Sequence, residues 1–220
     1  GCGRTRQAPT PDTMDDGGEA SRAELSAQPM DVCFHPTQPI VAAGLITGEL
    51  QVFQYSEDNC APVTSIRPHK DSCRAVRFTG DGSLMLSASV DRSILATDVS
   101  SGKPVARLEN AHPAAINRLI NVEGTVIASG DDDGCIRIWD TRQQQHAAEF
   151  KDAHTDFVAD MEFAGEGTHT LFGAGGDGRL SVCDLRKGKV THHSDEDEDE
   201  LLSVVVLKHG KKVVCGSQLG

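Results

Sequence analysis

The stretch IASGDDDGCIRIWD, residues 127–140, decides the fold. It contains two short apolar runs on either side of a tight Asp133-Gly134 turn, and glycine readily adopts the positive φ that a tight hairpin turn requires. In the second run Ile136 and Ile138 alternate with other residue types, a period of two that is typical of a β-strand with one buried face. The stretch therefore predicts an antiparallel β-hairpin.

The same pattern recurs along the chain at a nearly constant interval. Three turn aspartates and three upstream histidines repeat every 42 to 44 residues: Asp91, Asp133 and Asp177, and His69, His112 and His154. A weaker copy surrounds Thr47-Gly48. Each unit has room for four short strands, and one small sheet cannot bury its apolar faces without stacked neighbours. The sequence therefore predicts an all-β repeat protein.

A unit of about 43 residues with an early His and a late Trp-Asp resembles the WD-repeat family of β-propellers. The resemblance implies an incomplete WD-repeat β-propeller over residues 30–220, with about four blades and the start of a fifth. Because the family usually closes with seven blades, we expect the chain to be a C-terminally truncated fragment. Residues 1–29 are rich in Pro, Gly, Asp and Ser, which predicts a disordered N-terminal tail.

In the WD-repeat family a His, a Ser, an Asp and a Trp form a hydrogen-bonded structural tetrad within a blade. The resemblance implies one complete tetrad, formed by His112, Ser129, Asp133 and Trp139. It implies two partial tetrads, formed by His69, Ser87 and Asp91 in the second unit and by His154 and Asp177 in the fourth. Other residues stand at the remaining tetrad positions of those units, namely Thr97, Gly173 and Cys183.

Several motifs suggest chemistry but fit the repeat better. Residues 173–178 match G-x-G-x-x-G, yet a β-type run follows them where a dinucleotide site needs a helix. The acidic turn at residues 131–134 lacks the ligand spacing of a calcium loop. The seven cysteines contain no C-x-x-C pair, and three of the nine histidines recur at the blade period. The sequence predicts no catalytic residue, cofactor or metal, and hence no enzyme.

The net charge of −12 argues against a basic surface for nucleic acid. Six consecutive acids at residues 195–200 supply half of it, and the blades without this run and the tail still carry −4. Direct RNA binding is therefore less favoured than protein-protein scaffolding. No apolar run is long enough to cross a bilayer.

The acidic loop, residues 194–200, fits a solvated loop or a binding site for a basic partner. Ser194 precedes six consecutive acids, which makes it a candidate phosphorylation site.

The stretch Trp139-Asp140-Thr141-Arg142 is similar to the W-D-x-R motif by which WD-repeat substrate receptors dock on the damaged-DNA-binding adaptor of cullin-4 ubiquitin ligases. That resemblance implies that Arg142 contacts the adaptor while Asp140 holds the turn. Asp184 and Arg186 form a second copy that lacks the Trp. The same motif occurs in propellers that never meet a ligase, so both interpretations stay open.

Four segments and one acidic-to-apolar stretch resemble the WD repeat-containing protein 55 family, in its plant and green-algal form: residues 72–78, 115–119, 158–161 and 211–217, and residues 197–205. The resemblance implies a non-catalytic scaffold in ribosome biogenesis and rRNA maturation, located in the nucleus and nucleolus. Its partners would be pre-ribosome assembly factors, and in plants also cullin-4 ligase complexes. The alternative function is that of a ligase substrate receptor.

Overall fold

The computed structural model of the chain describes residues 22–57, 59–143, 145–165, 167–208 and 210–220. Over these ranges the regular elements are all β-strands, grouped in chain order into antiparallel sheets, which we call blades 1 to 5. The all-β prediction is therefore confirmed.

Each blade is a meander in which consecutive strands pair. Blade 1 contains β1 (Pro29–Phe34), β2 (Ile40–Leu45), β3 (Leu50–Tyr55) and β4 (Cys60–Ile66), and blade 2 contains β5 (Cys73–Phe78), β6 (Leu84–Ser89), β7 (Ile94–Asp98) and β8 (Pro104–Leu108). Blade 3 contains β9 (Ile116–Glu123), β10 (Val126–Asp131), β11 (Ile136–Asp140) and β12 (His146–Phe150), and blade 4 contains β13 (Val158–Phe163), β14 (Thr170–Gly175), β15 (Leu180–Asp184) and β16 (Lys189–His193). Blade 5 contains two strands, β17 (Leu201–Leu207) and β18 (Lys212–Ser217).

The blades stack side by side through their first strands, so that β1, β5, β9, β13 and β17 lie next to one another in that order. Between blades 2 and 3, Leu86 and Ile94 pack against Ile127 and Trp139. Fully burying a side chain of this size contributes about 1.5–3 kcal/mol. The stability of each sheet therefore depends on its neighbours, as the repeat pattern predicts.

Charged side chains also join neighbouring first strands. Asp31 in β1 accepts a hydrogen bond from the backbone N–H of Val76 in β5 at 2.9 Å. Asp160 in β13 accepts one from the backbone N–H of Val204 in β17 at 3.0 Å. Arg118 in β9 donates to Asp160 at 2.7 Å. These contacts satisfy backbone donors that strand pairing within the blades leaves free.

The meander sorts the connections onto two opposite faces because consecutive strands run antiparallel. We call one the Asp-Gly face. It carries the turns between the second and third strands of blades 1 to 4, at residues 46–49, 90–93, 132–135 and 176–179. It also carries the connections from one blade to the next, at residues 67–72, 109–115, 151–157 and 194–200. The opposite face carries the other hairpins and is called the Arg142 face.

Glycine is required where an Asp-Gly turn meets the connection that leads into the next blade. Gly134 has a φ of +80°, and a Cβ there would collide with the carbonyl oxygen of His154. Gly178 has a φ of +68°, and its Cβ would collide with the carbonyl oxygen of Asp197. Both turns therefore need a residue without a side chain to let the chain pass.

The predicted tail is described only in part, since residues 1–21 lie outside the described ranges. β1 begins at Pro29, one residue before the predicted start of the propeller. Ser26 donates a hydrogen bond from Oγ to Glu49 at 2.9 Å and accepts one from Gln51 Nε2 at 2.8 Å. The end of the predicted tail thus lies against blade 1.

The outward faces of the first and last blades are apolar and exposed. Val32 and Phe34 of β1 are 56% and 62% exposed, and Val205 and Val214 of blade 5 are 53% and 54% exposed. The described strands form an incomplete WD propeller with two open ends. Among the described residues no helix is long and apolar enough to span a membrane.

Candidate functional site

Blade 3 contains a buried tetrad centred on His112. The connection into blade 3 supplies His112, β10 supplies Ser129 and Asp131, and β11 supplies Trp139. Trp139 Nε1 donates to Ser129 Oγ at 2.8 Å, and Ser129 Oγ lies 2.7 Å from His112 Nε2. The Ser129 hydroxyl therefore donates to Nε2, which leaves the ring proton on Nδ1, 2.8 Å from Asp131. The four side chains tie three segments of the blade together.

The acid of this tetrad is Asp131, so the prediction of Asp133 is wrong. Asp133 is exposed, and its backbone N–H donates to Asp131 at 3.1 Å. When the repeats are aligned, Asp131 in blade 3 corresponds to Gly175 in blade 4. A Cβ at Gly175 would point directly at the His154 ring. This position therefore faces the tetrad histidine, and in blade 3 a carboxylate fills it.

Blade 2 brings His69, Ser87 and Asp91 together as a partial tetrad. His69 Nε2 lies 2.8 Å from Ser87 Oγ, and Nδ1 lies 3.2 Å from Asp91. Burial raises the pKa of Asp91, but hydrogen bonds from Ser93 and from the backbone of Lys70 outweigh this and lower the pKa to about 2. Thr97, which replaces the Trp, is buried, and its hydroxyl has no partner among the described residues.

Blade 4 completes its partial tetrad with a residue that the alignment of repeats does not identify. His154 Nδ1 lies 3.0 Å from Asp177, and Nε2 lies 2.9 Å from Ser181 Oγ. Ser181 pairs across β14 and β15 with Gly173, which occupies the usual serine position. A Cβ at Gly173 would lie 2.7 Å from Ser181 Oγ. The hydroxyl therefore comes from the neighbouring strand into the space that glycine leaves.

Three buried side chains in blade 3, His112, Asp131 and Cys135, lie close enough to surround a metal ion. Both ring nitrogens of His112 are already hydrogen-bonded, and Asp131 also accepts the backbone N–H of Cys135 at 2.8 Å. Burial raises the pKa of the Cys135 thiol to about 12, whereas metals bind the thiolate. The hydrogen bonds and the protonated thiol fit a structural tetrad better than a metal site.

The turn after β11 presents Arg142 to solvent. Arg142 Nε donates to one carboxylate oxygen of Asp140 at 2.9 Å and Nη2 donates to the other at 2.6 Å, while the Arg142 backbone N–H also binds Asp140. These hydrogen bonds from Arg142 hold the pKa of Asp140 well below its usual range. The Arg142 side chain is still 72% exposed, so the guanidinium is oriented and accessible.

The corresponding turn of blade 4 is built differently. Asp184 accepts the backbone N–H groups of Arg186 and Lys187 at 3.0 and 2.9 Å. Its ion pair is with Lys187 at 3.2 Å rather than with Arg186. The Arg186 side chain is exposed. The two predicted docking arginines therefore share a turn geometry, but only Arg142 is fixed by its aspartate.

The acidic loop is the connection from blade 4 into blade 5. The backbone N–H of Asp197 donates to the Gly178 carbonyl at 2.9 Å, just as that of His154 donates to Gly134 at 3.1 Å. Each donor lies four residues before the first strand of its blade. Arg179 donates to Glu196 at 2.7 Å. Asp197 thus occupies the place of a tetrad histidine, and the neighbouring acids project into solvent.

The two faces of the propeller carry different charges. The connections of the Asp-Gly face contain fifteen Asp or Glu residues and five Lys or Arg residues. On the Arg142 face, the connections of blades 3 to 5 expose basic side chains: Arg142, Arg186, Lys187, Lys208 and Lys211. The Asp-Gly face is therefore strongly acidic, whereas the Arg142 face offers exposed cations in blades 3 to 5.

Comparison with known proteins agrees with the geometry. A model of the WD domain, G-beta repeat, matches residues 60–96 and 102–140. WD repeat-containing protein 55 of Arabidopsis thaliana is 52% identical over 198 residues, which cover 90% of this chain and 56% of that protein. The Rattus norvegicus protein of the same name is 37% identical over 89% of this chain and 51% of its own, and the Dictyostelium discoideum homolog is 35% identical over 87% and 46%. The chain spans about half the length of the curated relatives it matches.

The assignment of the tetrad acid can be tested by paired substitutions. Asp131→Asn should lower the free energy of unfolding by about 1–3 kcal/mol, because it disturbs a buried carboxylate with three hydrogen-bond donors. Asp133→Asn should change it by less than about 0.5 kcal/mol, because that side chain is exposed. Urea unfolding measures both values, and a larger loss for Asp133→Asn would restore the original assignment.

The buried histidines predict that stability falls in mild acid. Burial lowers the pKa of His69, His112 and His154 in the folded protein. Below pH of about 6.5 the unfolded chain therefore binds protons that the folded chain excludes, and the free energy of unfolding falls by up to about 1.4 kcal/mol per pH unit for each histidine. Urea unfolding from pH 7.5 to 5 measures this. A profile that stays flat over this range would contradict the prediction.

Proposed function

Because this chain belongs to the WD-repeat proteins and is a relative of WD repeat-containing protein 55, we propose that it is a non-catalytic protein-interaction scaffold in nucleolar ribosome biogenesis and rRNA maturation. The observation that supports this proposal is the acidic Asp-Gly face, where connections within and between blades 1 to 5 lie together. Surfaces built from loops on a rigid framework are the usual binding sites of such folds. The buried His, Ser and Asp side chains of the tetrads stabilise the framework that holds these loops.

The charge of the Asp-Gly face favours basic partners. Ribosomal proteins and many assembly factors are rich in Lys and Arg, and opposite surface charge speeds and selects their encounter. The exposed acids Asp132, Asp133 and Asp156 extend this surface from the acidic loop across blades 3 and 4. RNA phosphates would be repelled by the same face, so the scaffold contacts particles through proteins. The nucleus and nucleolus are the compartments in which these partners assemble.

Neutralising the acidic loop should weaken association with pre-ribosomal particles. The test variant carries Asp195→Asn, Glu196→Gln and Glu198→Gln. The control variant removes the same number of charges from exposed acids elsewhere and carries Glu24→Gln, Glu57→Gln and Glu123→Gln. Gradient sedimentation from cells measures the particle-bound fraction, which should fall at least about fivefold only in the test variant. Depletion of the protein should cause precursor rRNA to accumulate.

Two results would contradict the scaffold proposal. One is a protein that never sediments with pre-ribosomal particles and whose depletion leaves rRNA precursors unchanged. The other is an equal loss of association in the test and control variants, which would remove the role of the Asp-Gly face.

A second function is supported by the geometry of Arg142. Its guanidinium is fixed by Asp140 and still exposed, which suits a docking contact on a protein partner. We propose as the alternative that the protein is a substrate receptor of a cullin-4 ubiquitin ligase and binds the damaged-DNA-binding adaptor through Arg142, with Arg186 as a weaker neighbour. The adaptor would then occupy the Arg142 face and leave the Asp-Gly face free for substrate.

Removing the docking arginines should abolish adaptor binding. Arg142→Ala should weaken the affinity for purified adaptor about 30-fold or more, as expected for a central interface arginine, and adding Arg186→Ala should remove the remainder. Lys70→Ala, an exposed cation on the opposite face, is the matched control. Co-precipitation and calorimetry measure the effect. Binding that survives in the double variant would exclude this docking mode.

A further inference from the structure

Ser194 is an exposed serine at the boundary between blade 4 and the acidic loop. It follows the last residue of β16 and pairs with Leu180 in β15. Its backbone N–H donates to the Leu180 carbonyl at 2.8 Å, and its Oγ accepts the Leu180 N–H at 2.9 Å. The Ser194 hydroxyl in turn donates to the carbonyl of Asp195 at 2.8 Å. The hydroxyl thus lies at the surface and helps to set the start of the loop.

We propose that Ser194 is a phosphorylation site for an acidophilic serine/threonine kinase and that the phosphate releases the acidic loop from Arg179. Acids at each of the six following positions are the substrate feature that such kinases select. In the reaction, the γ-phosphoryl group of ATP forms a new P–O bond with Ser194 Oγ as the bond to the β-phosphate oxygen breaks. ADP leaves, and the hydroxyl proton passes to the base of the kinase.

The release follows from the contacts that hold the loop. Glu196 is bound to Arg179 at 2.7 Å, and this pair is largely exposed, with the two side chains 40% and 65% accessible. A phosphate on Ser194 adds about −1.5 to −2 charges beside Leu180, the residue that follows Arg179. Phosphate binds a guanidinium more strongly than an exposed carboxylate does, so a phosphate on Ser194 would compete with Glu196 for Arg179.

Two further effects act in the same direction. The phosphorylated Oγ has no proton to donate, so the hydrogen bond to the Asp195 carbonyl is lost. The new charge also repels the acids that follow it. Among the described residues, the hydrogen bond that still joins residues 195–198 to the turn of blade 4 runs from the Asp197 N–H to the Gly178 carbonyl. Phosphorylation therefore separates Glu196 from Arg179 and leaves residues 195–198 held to the turn of blade 4 by this bond alone, which opens more often.

The modification itself is tested on the purified protein with casein kinase 2, magnesium and ATP. Mass spectrometry should locate a phosphate on Ser194. Ser194→Ala should abolish it, Ser194→Thr should retain it, and Ser101→Ala, which removes an exposed serine without following acids, should leave it unchanged. Absence of phosphate at Ser194, or full incorporation into Ser194→Ala, would overturn the proposal.

The release is tested by amide hydrogen exchange before and after phosphorylation. Exchange of the Asp197 amide should accelerate about tenfold or more in the phosphorylated protein, because its anchored state is less populated. Arg179→Gln should show faster exchange without phosphate and a smaller further increase with it than the unsubstituted protein does. The amide of His154, which makes the corresponding bond between blades 3 and 4, serves as the internal control. Unchanged exchange at Asp197 after full phosphorylation of Ser194 would refute the release.

Discussion

A recurring backbone hydrogen bond joins blades 1 and 2, blades 3 and 4, and blades 4 and 5 on the Asp-Gly face, whereas between blades 2 and 3 the N–H of Ala111 binds the Arg92 carbonyl at 2.8 Å. The N–H of His69 binds the Gly48 carbonyl, that of His154 binds Gly134, and that of Asp197 binds Gly178. Each bond requires the incoming chain to pass directly over a turn that has no room for a Cβ. The position of the donor then fixes where the following strand begins, four residues later. Where it occurs, this contact fixes where the following strand starts and places the residue at the tetrad-histidine position over the preceding turn.

The tetrads vary because this backbone contact does not depend on them. His112, His69 and His154 occupy equivalent places, yet their partners come from different positions: Asp131 in blade 3, Asp91 in blade 2, and Ser181 in place of the usual serine in blade 4. A buried imidazole needs one donor and one acceptor, and any nearby strand can supply them. Blade 5 shows the limit of this variation, since an exposed aspartate replaces the histidine.

The spacing of turns and histidines was sufficient to predict the blades, since each repeat brings a connection over the turn of the preceding blade at nearly the same distance along the chain. The partners inside a blade were harder to predict. Asp131 and Asp133 are both acids near one turn, and only the orientation of the strand end shows which one faces His112. Ser181 depends on cross-strand pairing with Gly173, which alignment of repeats along the sequence does not reveal. Asp197 could have been identified, because it lies four residues before an apolar strand as His69 and His154 do.

The separation of charge follows from the same architecture. A meander sends alternate connections to opposite faces, so acids that accumulate in blade-to-blade connections gather on one surface even when they are far apart in sequence. The acidic loop lies on that surface because Asp197 takes the place of a histidine, and the chain on either side of it must follow the path of the other connections. A loop of equal charge inserted at a hairpin of the Arg142 face would neutralise Arg142 and Arg186 instead of extending the acidic surface. The function of the run is therefore determined by its position in the repeat as much as by its composition.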